Sequence, residues 1–125
     1  GISRGLIKEE NLNIIHDFIY KIFKQHKIKL LKIYTCFDHP DNATDRRKPG
    51  IGMFLEAKRD YGFDLKKCLM IGDSYDDMKA GSSQGMDTML VLTGHGQKTL
   101  GILGKKETPT YIVKDLYEGV EKLCL

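Results

Sequence analysis

The sequence lacks the features that would place a protein outside the cell or in a membrane. It has only three cysteines, Cys36, Cys68 and Cys124, and an odd number at wide spacing favours free thiols in a reducing compartment over a disulfide framework. No apolar run approaches membrane-spanning length, and no signal-peptide pattern opens the sequence. We therefore expect a cytoplasmic protein with no membrane partner.

A strong charge of either sign is also lacking. Twenty Lys and Arg residues against 17 Asp and Glu residues give a formal net charge of +3, spread along 125 residues. No basic stripe with interleaved aromatic residues occurs, so nucleic acid is not an expected partner, although a bound phosphate group could use some of the positive charge. The length suits one domain with a modest core. No feature argues for an obligate interface, so a monomer is expected.

Hydrophobic periodicity predicts helices that alternate with strands. Apolar residues at helical spacing predict helices at 6–28, 51–62, 74–85 and from about 115. Short, mainly apolar runs predict strands at 30–37, 66–72, 87–94 and 110–113. Continuously apolar strands between helices are typical of an α/β fold with a doubly wound parallel sheet. We expect one domain over residues 1–125.

Three carboxylates, Asp73, Asp76 and Asp77, lie within five residues directly after the apolar run "CLMIG". Ligands of parallel sheets bind beyond the carboxyl ends of the strands, and Asp73 follows Gly72 at such an end. Asp77 lies one turn into the next predicted helix, where it can face the same pocket. Carboxylate oxygens are the ligands that Mg²⁺ prefers. The pattern therefore makes Asp73 and Asp77 candidate metal ligands.

Helix capping is the alternative explanation of this cluster. Ser74 is a natural N-cap, and Asp76 and Asp77 would complement the positive end of the helix dipole. Capping is the favoured explanation for Asp76. It does not account for Asp73, which precedes the cap.

A basic loop, "DRRKPG", precedes the second predicted helix and places Arg46, Arg47 and Lys48 together. Arginine can grip a phosphate group with two hydrogen bonds, and lysine supplies a compact positive charge. A solvated charged loop is the ordinary alternative. The order of elements favours function: a basic loop ending in Lys-Pro, a helix, a strand, and then "GDxxxD".

The segments "RKPGIGM", "IGDSYDDMKAG" and "LVLTGHG", in this order and spacing, resemble the haloacid dehalogenase (HAD) superfamily. Within it they resemble the branch of D-glycero-D-manno-heptose-1,7-bisphosphate phosphatases and histidinol-phosphatases. The resemblance implies a Rossmann-like HAD core and Mg²⁺-dependent phosphomonoester hydrolysis through an aspartyl-phosphate. The expected substrate is a small phosphorylated metabolite, first heptose 1,7-bisphosphate, with histidinol phosphate as the alternative. Ser74 stands where heptose phosphatases commonly carry Lys, which keeps that alternative open.

The resemblance also implies roles for four residues. Lys48 would be catalytic, neutralising charge on the phosphoryl group and on the nucleophile, and it would contact the substrate together with Arg47. Asp73 would bind Mg²⁺. Asp77 would be the second acid of the metal motif and orient a metal-bound water or Lys48.

The nucleophile motif is missing from these residues. No "DxDGT"-like stretch, which would carry the nucleophilic Asp and the general acid–base Asp, occurs in the 125 residues. The resemblance implies that it lies upstream of Gly1, on a first strand in the middle of the sheet. We therefore expect the chain to be the C-terminal part of a longer HAD-like domain and not to fold stably alone. The alternative is a non-catalytic module, either a truncated HAD-like domain used for binding or a phosphoacceptor receiver, in which "RRKPG" would have no role.

Members of this branch often carry a structural zinc on a Cys-x-His pair and a Cys-x-Cys pair just before "RKP". Here Cys36 is in place, but Asp38 takes the histidine position, with His39 adjacent. Thr44 and Arg46 take the two cysteine positions. A zinc site needs four ligands, and this loop offers at most two, so zinc is not expected. Turn hydrogen bonds are expected to hold the loop instead.

The stretch "TGHG" ends the third predicted strand, at the same expected edge of the sheet. Its glycines explain the motif through backbone shape alone. A contact between His95 and the substrate is left open.

Overall fold

The computed structural model describes residues 1–124. The chain divides into two compact units, a first unit of Gly1–Arg47 and a second unit that begins at Lys48. Among the residues described, no helix combines the length and the apolar character required to cross a membrane. Each unit is built from its own elements.

The first unit consists of helix α1, Glu9–Gln25, and a loop that contains a 3₁₀ turn at Pro40–Asn42. Glu9 and Glu10 occupy the first turn of α1, where negative charge complements the helix dipole. The hydroxyl of Tyr20, on α1, accepts a hydrogen bond from the backbone amide of Ile33 at 3.0 Å. This bond ties the helix to the segment that follows it.

The predicted strand at 30–37 is wrong, because the structure assigns no strand to these residues. Apolar and β-branched residues favour a strand only where a neighbouring strand supplies a hydrogen-bonded ladder. The three strands of the described chain pair with one another and all lie in the second unit. The segment 30–37 therefore has the composition of a strand, but no described segment pairs with it.

The second unit is a three-stranded parallel sheet with helices between its strands. The strands are β1 (Leu69–Gly72), β2 (Asp87–Val91) and β3 (Tyr111–Val113), in the spatial order β1-β2-β3. The helices are α2 (Gly52–Tyr61), α3 (Tyr75–Ser83), α4 (Gly96–Ile102) and α5 (Leu116–Cys124). Two further 3₁₀ turns lie at Leu65–Lys67 and Lys105–Glu107. The predicted α/β class with a parallel sheet is confirmed.

Helices cover both faces of this sheet. Met70 of β1 pairs with Thr88 of β2, and both side chains pack against Gly81 of α3. A Cβ on Gly81 would be 2.7 Å from Met70 Cβ and 3.0 Å from Thr88 Cγ2. Successive side chains of a strand point to opposite faces, so Met89 faces the other way. Its Sδ would lie 2.5 Å from a Cβ on Gly119 of α5. The sheet is therefore doubly wound, as predicted.

The core lies on both faces of the sheet around its central strand, β2, with α3 on one side and α5 on the other. Met78, Ala80, Met89, Leu90 and Val113 are all buried. Beyond this core, β1 and β2 both end at the carboxyl edge of the sheet, as parallel strands must. The segments that follow them carry the residues of the candidate site.

Candidate active site

Asp73 is held by a turn that comes from the next strand. It follows β1 directly and is half-buried. The backbone amide of His95 donates to Asp73 Oδ2 at 2.8 Å, and the Thr99 hydroxyl donates to the Asp73 carbonyl oxygen at 2.8 Å. Both the side chain and the backbone of Asp73 are thus fixed by residues more than twenty positions away in sequence.

The two glycines of "TGHG" make this turn possible. Gly94 has φ +57°, a left-handed conformation that side chains other than glycine rarely adopt, and a Cβ there would overlap Asp73 Oδ2. A Cβ on Gly96 would overlap the carbonyl oxygen of Val91. The His95 side chain is exposed, and its contribution to Asp73 is its backbone amide.

Asp77 lies buried at the start of α3, with 5% of its surface exposed. Its Oδ2 accepts hydrogen bonds from the Ser74 amide at 3.2 Å and from the Ser74 hydroxyl at 2.7 Å. The Asp77 amide returns a bond to Ser74 Oγ at 3.2 Å, which completes a capping box. Gly72 leaves room for this arrangement, since a Cβ there would lie 2.5 Å from Asp77 Cβ.

The other oxygen of Asp77 binds Lys48. Lys48 Nζ forms an ion pair and a hydrogen bond with Asp77 Oδ1. Burial on its own would raise the pKa of the Asp77 carboxyl, but the Lys48 ammonium and the Ser74 donors outweigh it, so the pKa lies below its usual value. Asp77 is therefore an anion at neutral pH, and it holds the lysine charge at the carboxyl edge of the sheet.

The predicted site residues lie in both units. Lys48 and Asp77 are in direct contact, and Asp73 is held separately by the 93–99 turn. Asp76 is exposed in the first turn of α3, where its charge complements the helix dipole. In the first unit, Arg47 Nη1 donates to the carbonyl oxygen of Asp38 at 3.0 Å.

One carboxylate oxygen of Asp73 is available to a hard cation. Within residues 1–124 no group of three or more His, Cys, Asp or Glu side chains comes together to hold a metal ion. In the same range, Asp73 Oδ1 has no hydrogen-bond partner, whereas both oxygens of Asp77 are engaged. Mg²⁺ commonly uses one or two carboxylates and completes its octahedron with water and phosphate oxygens. Asp73 Oδ1, as a single carboxylate ligand, is consistent with this coordination of Mg²⁺.

The loop that corresponds to the zinc site of the resembled branch is held by hydrogen bonds between protein groups. Asp38 Oδ2 accepts from the Thr44 amide at 2.7 Å and from the Thr44 hydroxyl at 2.5 Å. These two donors hold the pKa of the Asp38 carboxyl below its usual value. Arg46 Nη2 donates to the Thr35 carbonyl oxygen at 2.7 Å. The expected turn hydrogen bonds are present, and the absence of zinc stays a prediction.

Acid should weaken the Lys48–Asp77 pair in a defined pH range. Because the pKa of Asp77 is lower in the folded protein, its ionisation stabilises the fold fully above the unfolded-state value of about 3.9. This contribution is lost as the pH falls through the lower folded-state pKa. We therefore expect the difference in unfolding free energy between wild type and Asp77→Asn to be constant above about pH 5 and to shrink progressively as the pH falls below it. Urea unfolding of the protein expressed from its native gene, followed by circular dichroism, measures this difference, and a difference that stays constant down to the lowest pH would contradict the ion-pair assignment.

Comparison with known proteins gives the family. The model of HAD-hydrolase-like proteins matches residues 45–119. D-glycero-β-D-manno-heptose-1,7-bisphosphate 7-phosphatase of Bordetella bronchiseptica is 36% identical over 123 residues, which are 98% of this chain and 68% of the relative. D-glycero-α-D-manno-heptose-1,7-bisphosphate 7-phosphatase of Campylobacter jejuni is 37% identical over 74% of this chain and 52% of the relative. The chain thus spans between about half and two thirds of the length of these curated relatives.

A solved structure shows the same fold. The crystal structure of the Bordetella bronchiseptica D,D-heptose 1,7-bisphosphate phosphatase, complexed with magnesium and phosphate, superposes with a TM-score of 0.87 at 34% identity. The match covers 99% of this chain and 69% of that one. The chain belongs to the HAD-hydrolase-like family. The predicted resemblance to the heptose-bisphosphate branch is confirmed, and the relatives named here are phosphatases.

Two features of the site were not predicted from the sequence. They are the His95 amide and the Thr99 hydroxyl, which contact Asp73 across 22 and 26 residues. The spacing of the glycines in "TGHG" was the available signal. It indicated a constrained turn at this edge but not the group that the turn holds.

Proposed function

We propose that the chain forms the lysine- and metal-bearing part of a Mg²⁺-dependent phosphatase. The observation that carries this proposal concerns the carboxyl edge of the sheet. There Lys48 is ion-paired to the buried Asp77, and Asp73 Oδ1 has no hydrogen-bond partner among the described residues. The names of the relatives support hydrolysis of a phosphorylated sugar. The magnesium and phosphate in the Bordetella bronchiseptica structure support the metal.

The proposed substrate is D-glycero-D-manno-heptose 1,7-bisphosphate. Lys48 would neutralise charge on the transferring phosphoryl group, which is the main task of a phosphoryl-transfer site. Asp77 would keep the lysine ammonium in place. Mg²⁺, bound through Asp73 Oδ1, would supply further neutralisation of the phosphate oxygens. Arg47 would contact the substrate through the guanidinium donors that its bond to Asp38 leaves available.

The nucleophile completes the proposal. The proposed reaction is hydrolysis through an aspartyl-phosphate: a carboxylate oxygen attacks phosphorus, and the sugar hydroxyl leaves with a proton from the general acid–base Asp. Water then cleaves the acyl phosphate, which releases inorganic phosphate and regenerates the carboxylate. Residues 1–125 contain no "DxDGT"-like stretch. We therefore propose that these residues are the C-terminal part of a single HAD-like domain whose nucleophile lies upstream. We also propose a cytoplasmic, monomeric enzyme.

A second candidate is a non-catalytic binding module. In that case Lys48 and Asp73 would bind a phosphorylated ligand without cleaving it. Phosphate release by the protein expressed from its native gene separates the two candidates.

We expect phosphate release from heptose 1,7-bisphosphate in the presence of Mg²⁺, with slower release from histidinol phosphate and from an aryl phosphate. Removal of the metal with EDTA should abolish release, and added Mg²⁺ should restore it, since the phosphoryl charge would otherwise be only partly neutralised. The assay measures inorganic phosphate against time for each substrate.

Each contrary outcome has its own meaning. Faster release from histidinol phosphate would move the protein to the other half of the branch. Release that persists in EDTA would contradict the metal requirement. A folded protein that releases no phosphate from any of the three substrates would favour the binding module.

A further inference from the structure

Thr99 has properties that the proposed function does not use. It lies on α4 and is buried, with 3% of its surface exposed. A buried hydroxyl needs a hydrogen-bond acceptor, and this one donates to the Asp73 carbonyl oxygen at 2.8 Å. Thr99 therefore contacts the backbone of the residue whose side chain we assign to the metal.

The same threonine closes the turn that holds the Asp73 carboxylate. Its amide donates to the His95 carbonyl oxygen at 2.9 Å. The His95 amide in turn donates to Asp73 Oδ2 at 2.8 Å. Thr99 is thus bonded on one side to the backbone of Asp73 and on the other to the residue that orients the Asp73 side chain.

We propose that Thr99 is a positioning residue, which fixes the Asp73 carboxylate through the 93–99 turn and so sets the affinity of the site for Mg²⁺. The inference rests on the proposed function, because it takes Asp73 as the metal ligand. A carboxylate that is already oriented loses less freedom when it binds a cation. Groups that orient metal ligands in this way commonly affect metal affinity strongly.

The physical consequence of losing the hydroxyl follows from the geometry. Valine has nearly the shape of threonine but cannot donate, so Thr99→Val leaves the Asp73 carbonyl oxygen without this partner. The end of β1 and the 93–99 turn would then be free to separate. Asp73 Oδ2 would lose its fixed bond to His95, and Oδ1 would no longer be held in one direction.

Three variants of the protein expressed from its native gene test the proposal. Thr99→Val removes the hydroxyl, and Thr99→Ser keeps it. Thr88→Val is the matched control, because Thr88 is also buried and its Oγ1 accepts from the Thr110 amide at 3.3 Å. Thr88 lies near the amino end of β2, away from the carboxyl edge that carries Asp73. Loss of the Thr88 hydroxyl should therefore reduce stability without affecting Asp73.

Two measurements are made on each variant. Titration calorimetry with MgCl₂ alone gives the dissociation constant, which Thr99→Val should raise about 10-fold, while Thr99→Ser and Thr88→Val stay close to wild type. Without metal, the amide resonance of His95 reports its bond to Asp73. We expect this resonance to move upfield, and its hydrogen exchange to quicken, in Thr99→Val only.

The outcomes separate this inference from the proposed function. Unchanged affinity and an unchanged His95 resonance in Thr99→Val overturn the role of Thr99 alone. Equal weakening in Thr99→Val and Thr88→Val also overturns it, because general destabilisation would then be sufficient. A wild type that binds no Mg²⁺ overturns both. Weakened binding in Thr99→Val, in a protein that releases no phosphate, supports Thr99 and contradicts the reaction.

Discussion

Replacement of Asp73 by asparagine is expected to lower phosphate release by about 10²–10³-fold, the usual loss when one electrostatic group of an active site is removed. The asparagine keeps the shape of the side chain and an oxygen that can accept the His95 amide. The fold and the 93–99 turn should therefore be preserved. What is lost is the negative charge that we assign to Mg²⁺. The measurements are the rate of phosphate release at saturating Mg²⁺ and the Mg²⁺ dissociation constant.

Asp76→Asn is the matched control for this experiment. It makes the same chemical change three residues away, on an exposed position in the first turn of α3. We expect its rate and its Mg²⁺ affinity to stay within about threefold of wild type, since an exposed charge near a helix end contributes little. Equal losses in Asp73→Asn and Asp76→Asn would show that overall negative charge, rather than a metal ligand, governs the reaction.

Replacement of Gly96 by alanine should have the largest effect on stability. A Cβ at this position would overlap the Val91 carbonyl oxygen, which is backbone and has no flexible end that can move aside. Helix propensity alone would favour alanine over glycine in α4 by about 1 kcal/mol. The steric conflict should reverse that sign and cost at least about 3 kcal/mol, the upper range for overpacked sites. Urea unfolding of the protein expressed from its native gene measures the change in unfolding free energy.

Gly101→Ala is the control within the same helix. Apart from its two chain neighbours and the backbone of α4, no atom of the described residues lies within 4 Å of the position where a Cβ on Gly101 would be. There the helix propensity of alanine should act unopposed and stabilise the protein by about 0.5–1 kcal/mol. A gain in both variants would mean that α4 can move away from Val91, and the close approach at Gly96 would not be a constraint on the fold.

The candidate site residues could be predicted from the sequence because their patterns are local. Asp73 and Asp77 follow an apolar strand within a few positions, and the basic loop that ends in Lys48 precedes a helix. These patterns depend on spacing along the chain. The role of Asp77 needed the structure, since its contact with Lys48 spans 29 residues. Its capping of α3 could be predicted, but its pairing with the lysine could only be implied by resemblance.

The remaining differences have physical causes. The segment 30–37 has the composition of a strand, but a strand also requires a partner, and composition carries no information about which partner is present. The hydroxyl of Thr99 and the amide of His95 contact Asp73 only after β1 and β2 pair. A backbone amide has no sequence signature at all. Such contacts can be found only when the topology is known.

The shared use of Asp77 has a consequence for how this site can change during evolution. One carboxylate caps α3 through Ser74, pairs with Lys48 and fills the space that Gly72 leaves. Position 74 is less constrained, since heptose phosphatases commonly carry Lys there. A change at Lys48, Gly72 or Asp77 disturbs the ion pair or the close packing of the same carboxylate, so we expect positions 48, 72 and 77 to change together among homologues rather than independently.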